Sequence, residues 1–336
     1  MRCVLSLLLV TACYTASTPA GLPCSADGAC PKGQHCVSGA IDVCQLDGAA
    51  SPAPDASPDS LLEPLDGGLE PIDGAPDSPP VAADSDGDGV PDDRDNCPGI
   101  ANSDQANEDM DRFGDACDPC PPDANDTPGD PDGDGVADAC DPNPSVPGDH
   151  IELFESFHGD LPPTWIKDSG WQITGDTAHV MAAADFDEIL VAPITSTVFN
   201  PGRVSATASV VVEAMVGSGV EHGIDLSVVF DATRDLGVDC SLFQPGNAAS
   251  ERTLLLFDDF QGRDINVGSF GWRIATEYRI SMTRRDRNFI CSAVEPDGTL
   301  HSAQGTSPSS VSMSGVALRG FSINAHVSWL LIVTSP

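Results

Sequence analysis

The chain has 336 residues, with 52 Asp and Glu against 15 Lys and Arg, for a formal net charge of -37. No basic stripe is available to neutralise phosphates, which excludes a nucleic-acid partner. The longest apolar run, Val4 to Val10, is far short of the ~20 residues of a spanning helix, which excludes a multi-span membrane protein.

Residues 1–12 read as a lipoprotein signal peptide: one positive charge at Arg2, a short apolar core, then small residues. The stretch Val10-Thr11-Ala12-Cys13 resembles a bacterial lipobox. That resemblance implies that Cys13 is lipidated and anchors the chain to a membrane, since two or more acyl chains hold stably where one does not. A plain signal cleaved near Ala20, with Cys13 discarded, is the competing reading. Tyr14 follows the cysteine, so an aspartate-type inner-membrane retention signal is absent. The expected location is the cell envelope, outer-membrane-anchored or at the cell surface.

Residues 13–45 form a small Cys-rich module with Cys24, Cys30, Cys36 and Cys44. So short a segment has no useful core without cross-links, and its pairing is not legible. It serves as a recognition knob or a stapled spacer. Residues 46–83 are dominated by Pro, Asp, Ala and Ser without aromatics. Such a linker cannot offset its ordering entropy by burial and is expected to stay extended. Its LLEPL patch could serve as a docking site.

Residues 84–143 carry the clearest chemistry. Between Asp84 and Asp141 there are 19 acidic residues and two basic ones, Arg94 and Arg112. Asp84, Asp86, Asp88, Asp92 and Asp95 occupy positions 1, 3, 5, 9 and 12 of a window with Gly89 at position 6. Calcium takes six to eight oxygens at short range, and alternating carboxylates on a tight loop supply them, with the Val90 carbonyl at position 7. The register recurs as Asn107, Asp109, Asp111, Asp115 and Asp118 with Phe113 at position 7, and as Asp130, Asp132, Asp134, Asp138 and Asp141 with Val136 at position 7. An EF-hand is disfavoured because position 12 is Asp and no amphipathic helices flank the loops.

The surrounding residues Asp95-Asn96-Cys97-Pro98, Asn102, Gln105 and Gly114-Asp115-Ala116-Cys117-Asp118 resemble thrombospondin type 3 repeats. The resemblance implies several calcium ions and more than one per repeat, with Asp93, Asn96, Asp104 and Asn125 as further ligands. Departures are Asn107 at position 1, Arg112 at the usual glycine and a Pro-rich stretch from Pro119 to Pro128, which make the second loop the expected weak site. Cys97 to Cys117 and Cys120 to Cys140 have equal spacing, so two loops close without crossing, each contributing about 3 kcal/mol in the chain-entropy model. With almost nothing apolar to bury, metal and disulfides are expected to organise this segment into a rigid stalk.

Residues 149–336 show period-two alternation. Val204, Ala206, Ala208, Val210 and Val212 share one face. Ile224, Leu226, Val228 and Phe230 share another, as do Tyr278, Ile280 and Met282, and Val327, Trp329, Leu331 and Val333. Such density means half-buried antiparallel strands. The fold class is therefore mainly β: an antiparallel β-sandwich (jelly roll) preceded by irregular acidic repeats and a disulfide-rich module. The opening FESFHGDLPPTW and closing HVSWLLIV resemble laminin-G or concanavalin-like domains, which implies pairing of the first and last strands. Cys240 and Cys291 sit on apolar faces and either bond across strands or stay as buried thiols.

No paired-carboxylate strand, G-x-S-x-G, H-E-x-x-H or glycine-rich phosphate loop occurs. Asp258 and Asp259 point to opposite faces and cannot form a retaining pair ~5–5.5 Å apart. The histidines are scattered and read as ordinary surface or packing. Trp165, Trp171 and Trp272 are candidate aromatic platforms. The expected function is non-enzymatic: a calcium-binding surface lipoprotein presenting a sandwich for adhesion to a glycan or envelope protein. A secreted carbohydrate-active enzyme and a purely structural sandwich are the alternatives.

Overall fold

A computed structural model describes residues 34–37, 43–46, 83–125, 127–194, 203–233, 235–246, 251–308 and 315–335. The signal segment, Cys13, Cys24, Cys30 and nearly all of the linker fall outside them. The chain divides into two compact units, Met1–Pro76 and Asp77–Pro336. In the first, β1 (Gln34–Val37) and β2 (Val43–Leu46) form an antiparallel hairpin that sets Cys36 opposite Cys44.

The second unit has fifteen strands and, among the described residues, no helix. In chain order these are β3 (His150–Glu155), β4 (Ile166–Lys167), β5 (Trp171–Ile173), β6 (Ala178–Met181), β7 (Asp187–Pro193), β8 (Arg203–Met215), β9 (His222–Asp231) and β10 (Leu236–Gln244). There follow β11 (Thr253–Asp258), β12 (Arg263–Ser269), β13 (Glu277–Arg285), β14 (Asn288–Val294), β15 (Leu300–Thr306), β16 (Gly315–Phe321) and β17 (Ile323–Thr334). They make two antiparallel sheets. One is seven-stranded, in the order β12-β11-β10-β9-β16-β7-β4. The other is eight-stranded, β15-β14-β13-β8-β17-β6-β5, with β3 also paired to β17. The first sandwich strand thus meets the last, Phe154 opposite Leu331.

The inner faces bury the residues that alternation assigned to them: Val204 to Val212 in steps of two on β8, and Tyr278, Ile280 and Met282 on β13. The outer face of the same pair is a ladder of hydroxyls, Ser205 to Thr283 at 2.9 Å and Thr207 to Ser281 at 3.0 Å. Cys240 and Cys291 form a disulfide, as do Cys97 with Cys117 and Cys120 with Cys140.

Two expected faces are broken by bulges, because one extra residue reverses the parity of everything after it. Pairing of β9 slips between Ser227 and Val229 against β10. Ile224, Leu226 and Val228 therefore stay in the core, while Phe230 turns to the outer face with Ile189, Val191 and Ala317. On β17 the register shifts between Val327 and Trp329. Val327 remains inside, and Trp329, Leu331 and Val333 point outward.

That outward trio explains where the acidic repeats lie. Val136 is buried against Trp329, Leu331 and Val333, with Cys140, Ile151 and Phe154 around them. Arg279 donates to the Pro122 carbonyl at 2.8 Å and Arg285 donates to that of Pro142. Ser156 donates to Asp115, and Asn143 donates to Ser335 at 2.9 Å. The repeats thus rest on the eight-stranded sheet rather than standing off it as a free rod. The physical reason is that β17 exposes an apolar strip that would otherwise face water.

Candidate functional site

Backbone N–H groups frame each acidic loop. At position 1, Asp84 accepts from Gly87 (2.8 Å) and Gly89, and Asp130 accepts from Gly133 (2.8 Å) and Gly135. These bonds hold the Asp130 carboxyl below its ordinary range. Gly89 and Gly135 both have φ of 97°, a left-handed turn that favours glycine. At position 5, Asp88, Asp111 and Asp134 accept from Val90, Phe113 and Val136, and their second oxygens accept from Asn102, Asn125 and Asp149. Position 9 is held in two loops, Asp92 accepting from Ser85 and Asp115 from Glu108; in the third loop the residue at the donor's position 2 is Pro131, which has no N–H to give. At position 12, Asp95, Asp118 and Asp141 accept from Cys97, Cys120 and Asn143.

Position 3 is different in all three loops. Asp86 Oδ2, Asp109 Oδ2 and both oxygens of Asp132 are buried with no hydrogen-bond partner. Desolvation first, and neighbouring carboxylates after it, push all three carboxyls up. Desolvation likewise raises Asp118 to about 6 and Asp141 to about 7. Carboxylate oxygens converge in the sets Asp84–Asp86–Asp88, Asp109–Asp111–Asp118 and Asp130–Asp132–Asp134, each within 4.8 Å. An all-oxygen donor set with buried, partnerless oxygens fits a hard divalent cation.

The second loop departs as its sequence does. Asn107 accepts from Met110 N–H at 2.7 Å, as Asp84 and Asp130 do from Gly87 and Gly133, but its amide nitrogen also donates to the Asp111 carbonyl at 2.8 Å. Of the further candidates, Asn96 is engaged with the chain itself: its amide nitrogen donates to the Gln105 carbonyl at 3.1 Å. A Cβ at Gly114 would collide with that amide, which accounts for the glycine. Asp149, which the sequence reading left out of the ligand set, joins Asp134 and Asp141. Its signal was a lone Asp eight residues beyond Asp141, outside the twelve-residue register.

A second constellation occupies the outer face of the seven-stranded sheet. Asp225 on β9, Asp239 on β10, Asp259 after β11 and Arg319 on β16 meet in a groove of about 740 Å³. Arg319 Nη2 donates to Asp239 Oδ2 at 2.6 Å and to Asp259 Oδ2 at 2.7 Å, and Nε lies 3.3 Å from Asp225 Oδ2. Burial opposes the guanidinium charge, but Asp239, Asp225 and Asp259 outweigh it and raise its pKa. Desolvation raises Asp225 to about 6 despite Arg319, and pushes Asp239 up strongly. Asp225 and Ser241 are buried, direct cross-strand partners, and the Ser241 side chain counters part of the rise of the Asp225 carboxyl. Phe186, Phe243, Phe257 and Phe321 line the same groove.

Trp171 and Trp272 are core residues, 0% and 1% exposed, and Trp165 packs against the core. Trp171 and Trp272 are not platforms, because their rings fill the core, whereas Trp165 is half-buried with its ring edge-on to Phe157 at 6.3 Å. Asp258 and Asp259 diverge as expected, Asp258 accepting from Ser307 and Asp259 from Arg319. Sequence reasoning missed the groove, since its polar residues come from separate strands. The one available signal was an isolated arginine, Arg319, within an apolar strand.

No family model matches the chain, and no curated protein matches it. Among solved structures it is similar to the CBM2 module of the evolved Dit of Lactobacillus casei BL23 phage J-1, with TM-score 0.42 and 11% identity over 56% of this chain and 96% of that one. It is similar also to the lectin I-B4 of Griffonia simplicifolia, with TM-score 0.40 and 8% identity over 55% of this chain and 98% of that one. A third is the carbohydrate-binding module CBM66 of Bacillus subtilis, with TM-score 0.36 and 12% identity over 49% and 92%.

Proposed function

We propose that this chain is an exported, non-enzymatic surface protein whose acidic repeats bind several calcium ions and brace a β-sandwich that binds a glycan in the groove of its seven-stranded sheet. The observation that carries the calcium reading is the repetition at position 3, where Asp86, Asp109 and Asp132 each keep a buried oxygen without a partner. Bound calcium would supply the positive charge that this self-repelling chain lacks. Three ions would cancel only six of the seventeen net negative charges between Asp84 and Asp141, so more than one ion per repeat is expected, in line with the resemblance to thrombospondin type 3 repeats.

Export is supported by the three disulfides among the described residues, which persist in oxidising compartments. The glycan reading rests on the groove itself. Carboxyl and hydroxyl groups gathered in a groove suit a polyhydroxyl ligand, and exposed phenylalanine suits the apolar face of a sugar ring. The non-enzymatic reading is supported by Asp239 and Asp259 sharing one guanidinium nitrogen, an arrangement that holds the two carboxyls on one cation and not on either side of a scissile bond.

Calorimetric titration of the full chain is expected to give more than three calcium ions. Chelation of the disulfide-intact protein is expected to change its circular dichroism and open the segment between Asp84 and Asp141 to protease. Unchanged dichroism and protease resistance would refute the calcium reading. A glycan array is expected to return binding without turnover; hydrolysis that disappears in Asp259→Asn would establish an enzyme instead.

A further inference from the structure

We infer that His179, His326 and Glu213 form a binding site for a zinc-class divalent cation, separate from the acidic loops and from the groove. The three offer one ligand atom apiece within 4.8 Å of one another. His179 on β6 and His326 on β17 are direct cross-strand partners. Their neighbours Ala178, Val180, Ala325 and Val327 all face the core, so alternation forces both imidazoles onto the outer face of the eight-stranded sheet. The ring centroids are 5.5 Å apart.

Glu213 arrives by a bulge. Val212 pairs with Ala325 and Ala214 with Asn324, leaving Glu213 as the extra residue on β8. A bulge re-aims its side chain, and here Glu213 Oε1 lies 2.9 Å from His326 Nδ1. The site is open to solvent, with side-chain exposures of 25% for His326 and 45% for Glu213.

The other histidine is oriented from behind. Thr177 Oγ1 donates to the Thr174 carbonyl at 3.0 Å and is 2.7 Å from His179 Nε2. With its proton given to Thr174, the hydroxyl accepts from Nε2–H, and Nδ1 of His179 keeps the free lone pair. Metal-binding histidines are characteristically fixed in this way by a hydrogen bond to the other ring nitrogen. Two imidazoles and a carboxylate form a softer set than the all-oxygen loops, and they select zinc, copper or nickel over calcium. With their ligand atoms already within 4.8 Å of one another, the three side chains would fill three positions of a tetrahedral zinc ion at about 2.0–2.2 Å, leaving a fourth for water.

The test is calorimetric titration of the full chain with zinc alone as probe, in saturating calcium so that the acidic loops are occupied. The wild type is expected to take up one zinc ion that His326→Ala and His179→Ala do not. Thr177→Ala is expected to weaken binding about 10–100-fold, as loss of an orienting partner does. Because all these side chains lie outside the core, dichroism and calcium uptake are expected to be unchanged in each variant. Absence of zinc uptake by the wild type, or uptake that survives both histidine substitutions, would overturn the assignment.

Discussion

Truncating Val136 to alanine tests whether the third acidic loop is fastened to the sandwich. Val136 is 2% exposed and packs against Trp329, Leu331 and Val333. The substitution deletes two buried carbons at about 0.8 kcal/mol each. The void adds to this, because Trp329 and Leu331 belong to a strand paired on both sides and cannot collapse into it. The expected loss is about 2 kcal/mol, which for a unit of this size lowers Tm by roughly 4–8 °C. Urea denaturation in saturating calcium measures it, with tryptophan fluorescence as the probe, since Trp329 lines the contact. Val146→Ala, at a residue 58% exposed, is the control and should change stability by less than about 0.5 kcal/mol. A loss for Val136→Ala no larger than the control would refute the docking of repeats on the sheet.

Asp225 titrates near 6 in the folded chain against 3.8 for the free side chain, through desolvation. The folded state therefore binds the extra proton between those values, so this group favours folding at low pH and that contribution is lost as pH rises toward 6. Asp225→Asn should flatten this part of the stability–pH curve measured in saturating calcium; a variant curve parallel to the wild type between pH 4 and 6 would contradict the assignment. Phe186, 65% exposed at the rim of the groove, is expected to contribute to ligand affinity without contributing to stability. Phe186→Ala should weaken binding of an array-identified glycan about tenfold, roughly 1.4 kcal/mol, with Tm unchanged; equal affinity would move the ligand elsewhere.

Much of the sandwich was legible because alternation is a local property. From Val204 to Val212 on β8 and from Tyr278 to Met282 on β13, each residue faces the side that its parity dictates, and the hydroxyls of Ser205, Thr207 and Ser281 fall opposite the core as the pattern requires. Parity also explains the failures. Phe230, Trp329, Leu331 and Val333 follow bulges, and a bulge leaves no period of its own in the sequence. Of the three candidate tryptophans, Trp171 and Trp272 took the commoner core role, since burying a large ring is more favourable than displaying it.

The amino-acid order alone determined what is periodic: strand faces, the carboxylate register of the loops and the equal spans of two disulfides. Each is set by interactions within a few turns or residues of chain. The folded chain alone decided what is brought together from afar, namely the Arg319 cluster drawn from four segments, the meeting of His179 with His326, and the seat of Val136 on β17. Those encounters depend on the order of strands within each sheet, which is a choice of the whole core and is written in no single stretch of residues.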